Sequence, residues 1–502
     1  MKKIAYPFVA LICFAVCVHA QKRMLYYPFQ FEKSFLQRSD YNTYFLDDNA
    51  SSFALVLQDN KKAEYVLVDK TFKVVTKITP PIANTVFKNS DIQYVGGTAT
   101  NGVYNFIYKQ TEKQLLTKDK ISYLLETVDF NGKTVSQKDL FQIPKDEKLV
   151  SSFSDNGKYF SITADDKASN LVFYTLATDG SVVQKTVPFK VPQGIGKDKI
   201  SGYLQNIQLV KAYDEPGLDL STNDAKLFSY ADKLVFTVNN KDNPTHVFTV
   251  NLSDFSSQEI FIDHTPLVPK DAKGKNYVTS FMKDGLLFEL LLNKKGMTVA
   301  IYGLPNGQLL KSQEINEESS EFLFAEGPSY EQRMGKNVMS KDIPDIKKVI
   351  RNFINGTEGV TVGKNKEGQY IVTIGTWDLI AMSSGSTTVG GFQPTGNNIV
   401  DGRSLVVYNP NLYHFPGSSY SIRSPRYYRS TYFKLLFDPK TFATTHGRIP
   451  RSVNDQIKDY LEDDVSKKAK ATNQFAMDGF EYYGYYDKDE QEYVIEQILV
   501  MR

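Results

Sequence analysis

A strand-turn-strand pattern recurs along almost the whole chain and restricts it more than any other feature. Residues 65–70 lead into 72–75, and 123–128 pass through Asp129-Phe130-Asn131-Gly132-Lys133 into 134–135. The same shape returns at 171–183 around Thr178-Asp179-Gly180, and at 246–261 around Leu252-Ser253-Asp254. It returns again at 298–310 around Pro305-Asn306-Gly307, and at 432–444 around Asp438-Pro439-Lys440. Alternating β-branched and aromatic residues favour strands, while Asp, Asn and Gly supply the positive φ and side-chain turn bonds that hairpins need. A second hairpin precedes several of these. It turns at Asp155-Asn156-Gly157, at Asp284-Gly285, at Lys366-Glu367-Gly368 and at Asp478-Gly479. Two successive hairpins make a four-stranded meander, so the chain reads as all-β and repetitive.

Asp69, Asp129, Asp179, Asp254, Asn306 and Asp438 mark the repeat, at intervals of 60, 50, 75, 52 and 132 residues. A four-stranded blade needs roughly 40–50 residues. The last interval therefore holds inserted material. The pattern resembles the β-propeller superfamily, and Ser154-Asp155-Asn156-Gly157-Lys158 looks like the Ser-Pro-Asp-Gly-Lys turn of TolB-like propellers. This resemblance is architectural and implies a fold, not an activity. It implies a β-propeller of about seven four-stranded blades, with six as the alternative. Ring closure removes long unpaired edges. Three C-terminal strands at about 473–477, 480–486 and 492–500 would take their fourth from residues 24–31.

Lys2 and Lys3, the apolar run at 4–18 and Val18-His19-Ala20 form a secretory signal, with cleavage expected before Gln21. Both cysteines, Cys13 and Cys17, lie in it, so the remainder is expected to have no disulfide, thiol nucleophile or cysteine metal site. Cleavage also removes Lys2 and Lys3 from 59 basic residues, leaving 57 against 57 acidic ones. That balance argues against a nucleic-acid binder, which needs a basic footprint. No later apolar run approaches spanning length. The domain expected is 21–502, with insertions at about 325–356, 378–428 and 450–472. Two of these should carry helices. One is capped by Asp342, has Pro344 in its first turn and an Ile346, Val349, Ile350, Phe353 stripe. The other starts at Ser452 or Asn454 and has Ile457, Tyr460, Leu461 and Val465 on one face.

Residues with chemistry are present but scattered. His246, His264, His414 and His446 lack ligand-like spacing, and the acidic groups at 165–166, 214–224 and 487–492 lack the full ligand set of a calcium loop. Neither a nucleophile elbow nor a phosphate loop occurs. No catalytic residue, metal or cofactor is assigned. The segment 382–429 is far longer than a blade turn, and long loops in compact domains are commonly functional. Its second half carries Tyr413, Tyr420, Arg423, Arg426, Tyr427 and Arg429, which offer cation-π faces and hydrogen-bond donors. These six are the expected contact residues for a partner protein or envelope polymer. The expectation is thus an exported, non-enzymatic, monomeric binding or scaffold module of the periplasm, cell surface or medium. The alternative is a polysaccharide hydrolase or lyase, which needs two carboxylates, or a histidine with an arginine or tyrosine, converging at a channel mouth.

Overall fold

The computed structural model describes residues 22–31, 42–46, 52–59, 62–86, 92–112, 119–177, 180–192, 199–211, 217–240, 243–268, 276–317, 323–334, 337–380, 427–447, 449, 469–477 and 480–498. The expected leader at 1–20 and the expected helix at 452–465 lie outside them. Among the described residues no helix is long and apolar enough to cross a membrane.

The described strands form seven sheets. Sheet one contains Asn42–Leu46, Ser52–Gln58, Ala63–Asp69 and Val74–Ile78. Sheet two contains Ile92–Thr100, Val103–Glu112, Lys120–Asp129 and Thr134–Gln142. Sheet three contains Glu147–Asp155, Lys158–Asp165, Asn170–Leu176 and Val182–Pro188. Sheet four contains Ala225–Ser229, Lys233–Asn240, Asn243–Asn251 and Ser257–Ile262, with Gln208–Lys211 added. Sheet five contains Tyr277–Lys283, Leu286–Leu292, Met297–Gly303 and Gln308–Ile315. Each is an up-and-down meander in chain order, apart from the strand added to sheet four.

First strands of neighbouring sheets touch, as between sheets one and two, two and three, five and six, and seven and one. The last strands of sheets two, three and five are mostly exposed. The sheets therefore stand radially with their first strands innermost, which makes the molecule a β-propeller. Apolar cores lie between neighbouring sheets: one and two share Tyr65, Phe106 and Val128, and three and four share Phe160, Phe173 and Phe236. Burial on both faces explains why Ser52–Gln58 and Leu286–Leu292 read as nearly continuous apolar runs rather than as alternating ones.

The hairpin chemistry is as the turns imply. Asn156 and Gly157 both have positive φ, 49° and 70°, between the paired Asp155 and Lys158, the geometry of a two-residue type I′ turn. Asp284 and Gly285 repeat it at 52° and 76°. The longer turns are stapled by an Asx bond. Asp129 Oδ1 accepts from the Asn131 and Gly132 amides, and Asp438 Oδ1 accepts from those of Lys440 and Thr441. Lys133 and Phe442 then take the left-handed conformation that returns the chain. In sheet four Asn251 ends the strand, with Asp254 stapling a second bend to Ser256.

Sheet seven contains Ala469–Met477, Phe480–Asp487, Glu492–Ile498 and, as its outer strand, Lys22–Pro28. The N-terminal strand pairs antiparallel from Lys22↔Gln497 to Pro28↔Glu492. It begins two residues before the expected start, and its expected last three residues follow the strand instead of belonging to it. Leu25, Tyr27, Phe29 and Phe31 are buried in one core with Phe53, Leu55, Tyr482 and Ile495, so both ends of the chain meet sheet one. Arg23 Nε donates to Glu496 Oε1 at 2.9 Å, and the Tyr27 hydroxyl donates to Glu64 of sheet one.

Sheet six departs from the simple meander. Glu358–Lys364, Tyr370–Leu379 and Tyr427–Phe437 are its first three strands. The fourth, Glu326–Met334, comes from earlier in the chain, Asn337–Asp342 adds a fifth, and the short Thr444–Thr445 pairs with the end of the third as a sixth. The helix Ile346–Ile354 follows the hairpin of the fourth and fifth. Its cap is Asp345, whose side chain accepts from the Lys347 amide, and not Asp342, which is taken up in the strand opposite Ser329. Pro344 accordingly precedes the helix. The expected stripe of Ile346, Val349, Ile350 and Phe353 is buried, and Phe353 stacks on Phe433 with centroids 5.8 Å apart.

Polar ties cross the sheet interfaces. Buried Glu126 of sheet two accepts from the Tyr65 hydroxyl of sheet one at 2.6 Å and from the Val86 amide at 2.9 Å. Burial pushes its carboxyl up to about 7, against the opposing pull of those donors. Replacing Tyr65 with Phe removes a donor from a buried carboxylate. It is expected to lower stability by about 1–3 kcal/mol, read as a shift in denaturation midpoint at unchanged m-value.

Candidate functional site

Three places were open to chemistry or contact: the central channel, the histidines and the end of sheet six. On the inner side of the ring the chain adds a segment to sheet four. Gln208–Lys211 pairs in parallel with the innermost strand of sheet four, and all four residues are buried. Parallel pairing sets this strand apart from the antiparallel ladders around it. The turn Leu218–Leu220 then packs on the first two strands of sheet six. Gly359 and Gly375 form the floor beneath it. A methyl group at Gly375 would lie 2.7 Å from Leu218 Cδ1, and one at Gly359 would lie 2.5 Å from Ser221 Oγ. Lys226 sits beside this plug, opposite Gln208, with no exposed surface. Its Nζ donates to the Asn223 carbonyl at 2.7 Å, and burial pushes its pKa down to about 8.

His246 and His264 do not converge. His246 stacks on Phe261 with centroids 4.7 Å apart and contacts Phe189 and Tyr203 on the sheet-three side. Its Nδ1 is 3.2 Å from the Tyr203 hydroxyl, and burial pushes its pKa down to about 4. Thr245 points the other way, to Glu289 of sheet five, where His264 also lies. His446 is exposed, and His414 is outside the described residues.

Of the acidic groups, Asp214 and Glu215 lie outside the described residues, and the other two are engaged by backbone amides and a hydroxyl. Asp165 Oδ1 accepts from the Lys167 and Ala168 amides, Asp166 accepts from the Ser201 amide and hydroxyl, and Asp487 accepts from the Asp489 and Glu490 amides. Among the described residues no group of three or more His, Cys, Asp or Glu is placed to hold a metal ion.

The end of sheet six is the remaining site. Of the six expected contact residues, Tyr413, Tyr420, Arg423 and Arg426 lie outside the described residues. Tyr427 begins the third strand, opposite Met334, and Arg429 is exposed with its Nε 3.4 Å from Asp378 Oδ2. The second and third strands pair as far as Leu379↔Tyr428, whereas the first strand starts only opposite Thr376. Trp377, Asp378 and Leu379 thus project past the inner strand. The sole tryptophan stacks on Tyr428, centroids 3.9 Å apart at 25°, and the Tyr428 hydroxyl donates to Glu331 on the fourth strand. Asp378 Oδ1 accepts from the Thr357 amide at 2.9 Å. This stiff scaffold carries exposed apolar side chains: Leu379 at 63%, Val338 and Met339 at 48% each, and Met334 at 39%. Every residue of Asn337–Asp342 is exposed. Sequence reasoning reached the third strand but missed the hairpin beside it. The available signal was a polar, turn-centred stretch at 331–341 with Val338 and Met339 inside it.

No family model and no curated protein matches the chain. Among solved structures it is similar to the WD40 domain of SCAP from fission yeast, at 8% identity and a TM-score of 0.28, over 95% of this chain and 97% of that one. It is similar to the Dos1 propeller at 11% identity and a TM-score of 0.27, over 67% and 65%. Prolyl oligopeptidase B from Galerina marginata matches at 8% identity and a TM-score of 0.27, over 66% of this chain and 46% of that one, so this chain spans less than half of the peptidase. At such identities and scores these likenesses carry no argument about activity. The propeller assignment stands on the radial sheets themselves.

Proposed function

We propose that this chain is an exported, seven-bladed β-propeller that binds another protein through the projecting end of sheet six. The observation that carries the reading is the exposed outer strand Asn337–Asp342, with Val338 and Met339 half exposed on its two faces, Val338 in the cross-strand row of Arg333, Tyr428 and Leu379 and Met339 on the face of Met334. An unpaired outer strand with exposed apolar side chains marks an interaction surface, and propellers present such edges on a stable ring. The close groups that the polysaccharide-enzyme reading could use, His264 with Glu289 and His246 with Tyr203, are buried between sheets and lie apart from one another.

The test is a paired pull-down from the envelope fraction of the native host. Val338→Glu with Met339→Glu is expected to abolish capture of the partner while leaving the melting temperature unchanged, because both side chains are exposed. Val75→Glu, on the outer strand of sheet one and 58% exposed, should capture normally. Identical capture by all three proteins would overturn the assignment of this surface.

A further inference from the structure

We propose that Glu289 and His264 form a proton-holding latch between sheets four and five, which locks that interface while the pair carries one proton and loosens it when the pair carries none or two. Glu289 lies in the second strand of sheet five with no exposed surface. Its Oε1 accepts from the Thr245 hydroxyl of sheet four at 2.5 Å, and Asn239 extends this tie by donating to Thr245 and accepting from the Ser280 amide and hydroxyl. Its second oxygen has the Tyr302 hydroxyl near it but outside good hydrogen-bond geometry, and His264 Nδ1, 3.9 Å away, makes no hydrogen bond. His264 follows the outer strand of sheet four and is 4% exposed. Two buried, unsatisfied groups of opposite proton appetite thus face each other across an interface.

The other ionisable groups around them are Tyr302 of sheet five, beside the carboxylate, and Asp263 at the surface, beside His264 and Tyr302. Thr245 and Asn239, the sheet-four groups against the carboxylate, are neutral. Among the described residues no cation offsets Glu289 there, so ionisation of the carboxylate leaves a buried charge that the Thr245 and Tyr302 hydroxyls only partly offset.

The signs follow from burial. Glu289 is pushed up to about 7 from its ordinary 4.5, so its contribution to the folded interface is complete below pH 4.5 and lost as pH rises through about 7. His264 is pushed down from its ordinary 6.5, so its contribution is complete above pH 6.5 and lost as pH falls through the depressed value. Between these limits the single proton sits on Glu289 and both groups are neutral. Acid charges His264, base charges Glu289, and either change favours opening.

Native-state hydrogen exchange on the full chain tests this. The readout is the protection factor of the Ser280 amide in this interface, referred to that of the Gly97 amide, which bonds Ser154 Oγ between sheets two and three. In His264→Gln the relative protection of Ser280 is expected to fall by about tenfold per pH unit between about pH 5 and 7 and to level off above, because only in that window does the closed state hold a proton that the open state has released. In Glu289→Gln that fall should be absent. Glu289→Gln should instead lose protection as pH drops below 6.5, so each variant reads one limb. A fall with rising pH that survives in Glu289→Gln, or an acidic limb that survives in His264→Gln, would overturn the latch. Should Glu289→Gln fail to fold, the His264→Gln profile decides alone.

Discussion

Removal of residues 22–31 is expected to abolish cooperative folding. The strand they supply is the outer member of sheet seven, paired along Glu492–Ile498. Leu25, Tyr27, Phe29 and Phe31 are all less than a tenth exposed. At about 1.5–3 kcal/mol for each buried side chain, the loss is about 6–12 kcal/mol before allowance for a compact unfolded state. That is the size of the whole stability of a typical domain. The deletion also turns the strand carrying Tyr493, Val494 and Ile495 into a free edge, which invites aggregation. The expected record is a broad, non-cooperative melt and soluble aggregates on size exclusion. A peptide of residues 22–31 added in trans should restore part of the transition, because the groove it left is apolar and shaped. A sharp melt at the parent temperature in the truncated chain would show that closure contributes little. Arg23→Ala makes the contrast: Arg23 is about half exposed but Glu496 is buried, so its loss takes one donor from a carboxylate that the Tyr485 hydroxyl still holds and should cost about 1–3 kcal/mol.

How much of this was legible in the sequence depends on how local the causes are. Hairpins were readable because Asn156-Gly157 and Asp438-Pro439-Lys440 announce their own geometry. Closure was readable because the C-terminal segment offered three strands where a blade needs four. Other features have partners too distant in the chain to leave a signature. Glu126 meets Tyr65 across 61 residues, and Thr245 meets Glu289 across 44. Each of these glutamates looks like an ordinary polar residue in a strand. Sheet six was obscured because its fourth strand precedes its first, so the 132-residue interval reads as insertion and hides a hairpin that belongs to the blade. The plug had no signal at all. A parallel strand needs no tight turn, and Gln208-Leu209-Val210-Lys211 is short enough to belong anywhere.

That plug gives the second large effect, read at one lysine. In sheet six Gly359 and Gly375 lie side by side as a cross-strand pair, under Leu218 and Ser221. A side chain at either position has nowhere to go, but the obstacles differ. At Gly375 the first collisions are with the Thr431 carbonyl and Tyr432 Cβ, both 2.6 Å away on the partner strand, so Gly375→Val should destabilise the whole domain. At Gly359 the first collisions are with Ser221, Thr222 and the Leu218 carbonyl, which all belong to the plug. Gly359→Val should therefore lift the plug while sparing the sheet. Overpacking of this kind costs about 1–3 kcal/mol, and each 1.4 kcal/mol changes the open population about tenfold. Lys226 reports that opening, because it is fully buried beside the plug and a reagent reaches its amine only when the plug lifts. Acetylation by an N-hydroxysuccinimide ester, followed by mass spectrometry, should label Lys226 about tenfold or more faster in Gly359→Val than in the parent chain. Lys440, on an exposed turn, should label equally in both. If Lys226 stays protected while the melting temperature falls, the plug is held by more than the glycine floor.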